Sequence, residues 1–294
     1  MKIIVAGGTG FVGNALLPGL IKDGHDVTIL QRPSSLSQSP RLDGLKIAFV
    51  NPELPIKDAD LSADAIINLV GIIRENRRRG ITYHQSHFMV TKNLVDYARS
   101  NGIKRFLQMS ASGVRPDSKT PYFQTKFEAE NYVKESGLDW TIFRPAIIFG
   151  PESHFVLMLS NMVWKLPVVP VVGDGRYKIQ LVHIDDVCMG FRKALLDERA
   201  IGKTFEIGGP DILTYDEILD AMGRAANKTK VRKFHQPLFL MRKMAAILGN
   251  FQWFPITNDQ ITMLLESNHT NDQFFWEMFG LTAKKFEQSL RDNI

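Results

Sequence analysis

The chain has 294 residues, 44% of them hydrophobic and 23% charged, which is enough apolar material for one large or two modest cores. Net charge is +5 and the pI about 9.2, a mild excess spread along the chain without interleaved aromatics, so no nucleic-acid partner is expected. There is no long uncharged apolar run and no basic-then-apolar leader, and the single cysteine, Cys188, has no second thiol for a disulfide or metal pair, so a cytoplasmic protein without an export signal is expected.

Through about residue 150, short β-branched runs alternate with helical stretches, the pattern of βαβ units and a parallel sheet. The first expected strand, KIIVAG (2–7), leads into a helix at 11–23, and DVTILQ (26–31), LKIAFV (45–50) and AIINLV (65–70) follow as strands. A helix at 85–101 precedes the strand RFLQMS (105–110), and a helix at 122–136 precedes DWTIFRP (139–145). Most of these strands are almost continuously apolar, as strands covered on both faces are. Gly24, Gly102 and Gly137 stand where helix-stopping glycines belong. Beyond 150 come longer helices, one short strand TFEIGG (204–209), and Thr214 with Glu217 three residues later, a capping pair. The fold class expected is α/β: a Rossmann-type doubly wound parallel sheet over 1–150, then a smaller, mostly helical lobe over 151–294, interleaved with the sheet through about 182–209. In such sheets ligands sit beyond the carboxyl ends of the strands.

The stretch VAGGTGFVG (5–13) lies between the first strand and the first helix. Unpaired amides and the helix dipole favour an anion there. Gly7 permits the tight turn, Gly10 lets a pyrophosphate approach the main chain, and Gly13 lets the helix lie close to the strand. A free ribose 2′-hydroxyl calls for an acid at the end of the second strand, a 2′-phosphate for an arginine. The chain offers Gln31-Arg32-Pro33-Ser34-Ser35 without an acid. The cofactor expected is therefore NADP(H), with NAD as the alternative, Arg32 stacking on adenine or pairing the phosphate and Ser34 or Ser35 adding a donor.

Tyr122 and Lys126, in YFQTK, stand four apart at the start of a helix and so share a face. A neighbouring ammonium lowers a phenol's pKa and suits tyrosine to general acid–base work in hydride transfer. A serine-bearing strand end, MSAS (109–112), comes shortly before.

GGTGFVG, NLVG (68–71), YFQTK, RPAIIFGP (144–151) and VHIDDV (182–187) together resemble the short-chain dehydrogenase/reductase superfamily in its extended or atypical branch, over nearly the whole chain. More narrowly, GIIRE, ITYHQSH, VTKNLV, GIKRF and SGLDWTIFRPAIIFG are similar to the subfamily named after the nucleotide-binding accessory subunit of respiratory complex I. The resemblance implies that Gly7, Thr9, Gly10, Phe11, Val12 and Gly13 hold the pyrophosphate and Arg32 reads the 2′-phosphate. It further implies Val70 and Gly71 along adenosine and ribose, Lys126 on the nicotinamide ribose, Pro145, Ala146 and Ile147 walling the nicotinamide, and Tyr122 as proton donor. Competent relatives carry a Ser or Thr three residues before a Val at the fifth strand end, where it orients the substrate oxygen. Here that position is Ala111, three before Val114. Ser110 and Ser112 flank it and point together by strand alternation, away from Ala111. Either a flanking serine substitutes or the orienting hydroxyl is missing.

Asp185 and Asp186 read as residues that cap the following helix and tie it to neighbouring loops, not as an acid–base pair. The seven histidines show no ligand spacing, so no metal is expected, and His154 and His183 read as polar residues near the cleft. The cluster Arg74-Glu75-Asn76-Arg77-Arg78-Arg79 follows the fourth strand and suits either a solvated loop or an anion above the crevice. Residues 238–254 are apolar but short of spanning length. They suit a packed helix, while Phe251, Trp253 and Phe254 also suit a membrane interface or the docking surface of a membrane complex, at the inner face of a membrane. Two functions follow: an NADP(H)-dependent oxidoreductase acting on a carbonyl or alcohol of a small molecule, or a non-catalytic nucleotide-binding subunit, assembly factor or sensor of a membrane respiratory or quinone-related complex.

Overall fold

Strand β1 (Lys2–Ala6) is KIIVA, with Ile3, Ile4, Val5 and Ala6 all buried, and it is an inner strand of the main sheet. The computed structural model describes the chain apart from residues 34–39, 57–60, 250, 252–253, 255, 267–268 and 294. After β1 come α1 (Phe11–Lys22), β2 (Asp26–Gln31), β3 (Leu45–Phe49) and β4 (Ala65–Asn68). A π-helical turn, His84–Met89, runs into α2 (Val90–Ser100), followed by β5 (Arg105–Met109), α3 (Pro121–Lys134) and β6 (Asp139–Pro145). The expected helix-stopping residues Gly24, Gly102 and Gly137 all adopt positive φ, at 80, 70 and 76°.

The remaining elements are β7 (Ile147–Phe149), α4 (His154–Lys165), β8 (Val169–Val172), β9 (Lys178–His183), α5 (Ile184–Leu196), β10 (Lys203–Ile207), β11 (Ile212–Thr214) and α6 (Tyr215–Ala225). They end with β12 (Lys233–Gln236), α7 (Leu238–Leu248), α8 (Asn258–Leu265), α9 (Phe274–Phe279) and α10 (Phe286–Asn293). The chain falls into two compact units: Met1–Pro145 with Val187–Glu206, and Ala146–Asp186 with Ile207–Ile294.

In the first unit a seven-stranded sheet runs in the order β10-β6-β5-β4-β1-β2-β3. The pairs β1–β2, β2–β3, β1–β4, β4–β5 and β5–β6 are parallel. The chain leaves β1 toward β3 on one side and resumes at β4 on the other, so the switch point lies between β1 and β4, directly beyond the glycine loop. One sequence expectation changes here. LKIAF is an edge strand whose Phe49 is exposed, so it is not covered on both faces. KTFEI, within the stretch expected to interleave with the sheet, pairs beside β6 and extends the main sheet, with Phe205 stacked on Phe143 of β6.

The second unit is not only helical: it holds a three-stranded sheet, β11-β9-β7, and a two-stranded sheet, β12-β8. Thr214 caps α6 in a reciprocal capping box with Glu217. A core of Phe149, Leu159, Val163, Val169, Val171, Ile218 and Phe286 draws α4, α6 and α10 onto these small sheets. No helix among the described residues is long and apolar enough to cross a membrane.

Candidate functional site

The glycine loop closes against the end of β4. Gly7 adopts φ +82°, and a Cβ placed on it would lie 3.0 Å from Leu69 C and Val70 N. A Cβ on Gly13 would lie 2.5 Å from the carbonyl oxygens of both Gly7 and Gly8, so α1 can approach the loop only with glycine there. Gly10 caps α1 without a side-chain hydrogen bond, and no acid stands in the first turn, which leaves the amides around Phe11 and Val12 without a side-chain acceptor. Thr9 is half-buried beside this turn. The loop is a cradle of bare main chain that fits a diphosphate.

The β4 end is held by a buried amide network. Asn68 donates to Thr91 Oγ1 at 3.0 Å and to Gln108 Oε1 at 2.9 Å, and its own Oδ1 accepts the Val70 amide at 3.1 Å. This fixes Val70 and Gly71, and a Cβ on Gly71 would stand 3.4 Å from Lys126 Nζ.

Thr120 caps α3 by accepting the Phe123 amide, with Pro121 in the first turn, so Tyr122 and Lys126 fall on one face at the head of the helix. Lys126 Nζ lies 5.5 Å from the centroid of the Tyr122 ring. Both are buried. The structure reverses one expectation: burial pushes the Tyr122 phenol well up, and burial brings the Lys126 ammonium down to about 8 against a pull upward from Glu130. Removal from water disfavours both charged forms, and at this separation the ammonium does not offset that for the phenol.

The π-helical turn contributes residues that sequence reading passed over. His87 packs edge-on to the Tyr122 ring at 5.1 Å and stacks on Tyr83 at 5.5 Å. Its Nδ1 meets Thr125 Oγ1 of α3 at 2.9 Å, and its Nε2 meets the Ile72 main chain, at 3.2 Å from the amide and 3.1 Å from the carbonyl. Burial, with Lys126 nearby, holds His87 well below its ordinary value, so the ring is neutral. His87 therefore pins the loop after β4 to the Tyr122 helix. From the same turn, Gln85 donates to the Glu53 carbonyl at 2.6 Å, and Asn93 of α2 donates to the Pro52 carbonyl at 3.0 Å. That anchorage brings Glu53 within 3.2 Å of Arg32. An acid thus does stand beside Arg32, supplied by the loop after β3 and not by the second strand. Ser34 and Ser35 lie outside the described residues.

Of the two flanking serines, Ser110 is already engaged. Ser110 Oγ donates to Glu130 Oε1 at 2.6 Å, and Glu130, fully buried, accepts Arg144 at 2.7 and 2.8 Å. Arg144 also reaches Glu206 at 3.0 Å, and burial raises that carboxyl against the pull of Arg144, while its Oε2 is buried without a hydrogen-bond partner among the described residues. Ser110 therefore supplies no free orienting hydroxyl, for it feeds an ion-pair network that joins β5, β6, α3 and β10. Pro145 ends β6 in the first unit. In the second unit, Ala146 is buried, with its amide on the Ile207 carbonyl at 2.8 Å, and Ile147 begins β7.

The other candidate residues have structural partners. Asp185 and Asp186 occupy the first turn of α5 and hold Lys284, through its ammonium at 2.6 Å and its amide at 3.0 Å. His183 is buried edge-on to Phe149, and His154 is exposed at the start of α4. In the arginine cluster, Glu75 accepts Arg77 at 2.8 Å and the Tyr83 amide at 2.9 Å, closing a small loop whose Arg78 and Arg79 are exposed. Phe254 joins a core with Met241, Ala245 and Ile261, and Trp253 lies outside the described residues. Among the described residues no group of three or more His, Cys, Asp or Glu is placed to hold a metal.

Known proteins resemble this chain in sequence and in fold. The chain is 31% identical over 278 residues to NADH dehydrogenase (ubiquinone) 1 alpha subcomplex subunit 9 of Arabidopsis thaliana, covering 90% of this chain and 68% of that one. It is 26% identical over 264 residues to a 2-alkyl-3-oxoalkanoate reductase of Stenotrophomonas maltophilia, covering 79% and 78%. The dTDP-glucose 4,6-dehydratase of Bacillus anthracis, solved with NAD, superposes with a TM-score of 0.76 at 16% identity over 100% of this chain and 95% of that one, a likeness of fold. The profile of the NAD dependent epimerase/dehydratase family spans residues 3–208, from β1 past the last strand of the main sheet. With its glycine cradle at the switch point and its Tyr–Lys helix beside it, the chain belongs to that family.

Proposed function

We propose that the protein is an NADP(H)-dependent oxidoreductase that interconverts a carbonyl and an alcohol on a small molecule. The observation that carries this reading is Lys126: a buried ammonium, brought down to about 8, with no hydrogen bond or ion pair among the described residues, over the Tyr122 ring and beside the bare Gly71. A buried cation without hydrogen-bond acceptors is costly, and ribose hydroxyls would supply them. Gly7, Gly10 and Gly13 would hold the diphosphate, Val70 and Gly71 the adenosine side, and Pro145 the nicotinamide, which when bound gives or takes the hydride. Arg32 would read the 2′-phosphate.

Tyr122 keeps its proton at neutral pH because burial raises the phenol, so it is poised as the acid in carbonyl reduction. As the proton leaves toward the substrate oxygen, the Lys126 ammonium stabilises the phenolate that forms. His87, neutral, keeps the two supporting segments in register. The test is NADPH oxidation against a panel of aldehydes and ketones: Tyr122→Phe should lower turnover by about 100-fold or more while the nucleotide still raises Tm as before. Undiminished turnover in that variant removes Tyr122 from its role.

A second reading is favoured by the engaged Ser110 hydroxyl and by Ala111 beside it. It is a non-catalytic nucleotide-binding subunit of a membrane complex, in keeping with the relative named as a NADH dehydrogenase subcomplex subunit. In that case NADPH raises Tm, and no carbonyl accelerates its oxidation.

A further inference from the structure

Isolated exposed hydrophobic residues are ordinary, but a contiguous set of them marks a contact surface. In the second unit, the end of α4 and the segment after it, Trp164 through Val168, are exposed without a break, and Trp164 is 58% exposed. This segment enters β8, whose partner β12 lies alongside in register, Val169 with Lys233 and Pro170 with Phe234. Val169 and Val171 point into the core. By alternation Val168 and Pro170 point outward, and so do Arg232 and Phe234 on the neighbouring strand, the phenylalanine 59% exposed. Val172, third on that outward face, packs against Met241 and Ala245 of α7, so this helix covers the far end of the same face. The opposite side of α7 is also apolar: Phe239 and Ile247 are 66% and 71% exposed. A helix apolar on both sides with one side uncovered is a helix with a missing neighbour.

Cations rim this strip. A cavity of about 580 Å³ lies at the β12 entry, lined by Arg224, Lys228, Lys230, Arg232 and Lys233 with Asp220 as the one acid. Arg224 is engaged by Glu287 at 3.0 Å, Lys233 by Asp220 at 2.8 Å and Lys228 by the Val163 carbonyl at 2.5 Å. Lys230, Arg232, Lys165 and Lys243 are exposed and have no ion pair among the described residues. Lys228 ties the cavity to the end of α4, and the Val169 amide on the Arg232 carbonyl, at 2.8 Å, ties it to β8. Aromatic and aliphatic side chains flanked by unpartnered cations are complementary to the acyl–headgroup boundary of an anionic bilayer, the cavity taking phosphate and the strip lying in the apolar edge.

We infer that the second unit docks peripherally on an anionic membrane through Trp164, Phe234, Phe239 and Ile247, with Lys230 and Arg232 on the lipid phosphates. The surface uses none of the nucleotide site, so the NADPH-induced rise in Tm reports on that site separately.

The experiment is co-sedimentation of the full chain with vesicles of phosphatidylcholine alone and of equal parts phosphatidylcholine and phosphatidylglycerol. Binding should appear on the phosphatidylglycerol vesicles and fade with added salt. Lys230→Ala and Arg232→Ala should each weaken it about fivefold, and Ile247→Asp should abolish it, all with the NADPH shift in Tm intact. No binding to the anionic vesicles, equal binding to both kinds, or binding unchanged in Ile247→Asp overturns the inference. So does a concentration-dependent dimer in light scattering that Ile247→Asp dissolves, for then a second copy covers the strip.

Discussion

Helix α3 carries two buried charges one turn apart, and they are treated in opposite ways. Glu130 accepts hydrogen bonds from Ser110, from two nitrogens of Arg144 and from Lys134. Lys126 lies over the face of the Tyr122 ring and has no hydrogen bond or ion pair among the described residues. The first charge is complete within the protein and binds four elements of the main sheet unit together. The second is incomplete, and completion has to come from a ligand. Burial alone therefore does not separate structural from functional charges, whereas the presence or absence of partners does.

The largest expected effect breaks the completed side of this contrast. Burial alone would raise Glu130, but the hydrogen bonds and charge of Arg144 outweigh it and hold the carboxyl below its ordinary 4.5. Its contribution is full above that pH and is lost as pH falls through the lowered value. Glu130→Ala leaves Arg144 with only Glu206 and should cost about 3–5 kcal/mol in urea unfolding at pH 7. A loss under about 1 kcal/mol would mean that the network behaves like a surface pair.

Lys126→Met should act with the opposite sign. A lysine lowered from 10.5 to about 8 binds its proton less well in the folded chain than in the unfolded one. The penalty is therefore full below about pH 8 and disappears as pH climbs toward 10.5. The nucleotide-free variant should be more stable than the parent at pH 7 by up to about 3 kcal/mol, with the gain shrinking toward pH 10, and it should lose most of its NADPH-induced rise in Tm. Destabilisation at pH 7 would show that Lys126 is completed within the protein after all.

Much of this was legible in the sequence, and the boundary has a physical origin. The glycine cradle, the Tyr–Lys spacing and the strands through β6 depend on residues close together in the chain. The Glu130 network does not: Arg144 comes to it from β6, and Glu206 meets Arg144 only because β10 returns beside β6. His87 and Glu53 stayed hidden for the same reason, since their roles come from Thr125 and Arg32 across the fold. The strands VPVV and KFHQ are too short, and the first too broken by Pro170, to show a period.

His87 sharpens the contrast from a third direction, being buried, neutral and fully partnered. Its folded value lies well below 6.5, so the unfolded chain takes up the proton first as pH falls. Stability is present above about pH 6.5 and drops below it, by up to about 1.4 kcal/mol per pH unit. His87→Gln should be weaker than the parent at pH 7.5 by about 1 kcal/mol, with a flatter decline between pH 6.5 and 5 in urea midpoints. An unchanged acid limb would assign that decline to other groups.

The smallest effect on stability is expected at Arg32 and Glu53, where both partners are partly exposed, at 45% and 23% of their side chains. Arg32→Ala and Glu53→Gln should each change stability by less than about 0.5 kcal/mol, because water replaces either partner at little cost. Nucleotide choice is where this pair has its effect. An arginine already opposite a carboxylate must turn from it to meet a 2′-phosphate, so Glu53→Gln should tighten NADPH by about two- to fivefold and leave NADH unchanged. Arg32→Ala should bring the two nucleotides to equal affinity. Should Glu53→Gln instead weaken NADH, the carboxylate is itself reading a 2′-hydroxyl, and the pair is a completed NAD site in which Arg32 only orients the acid.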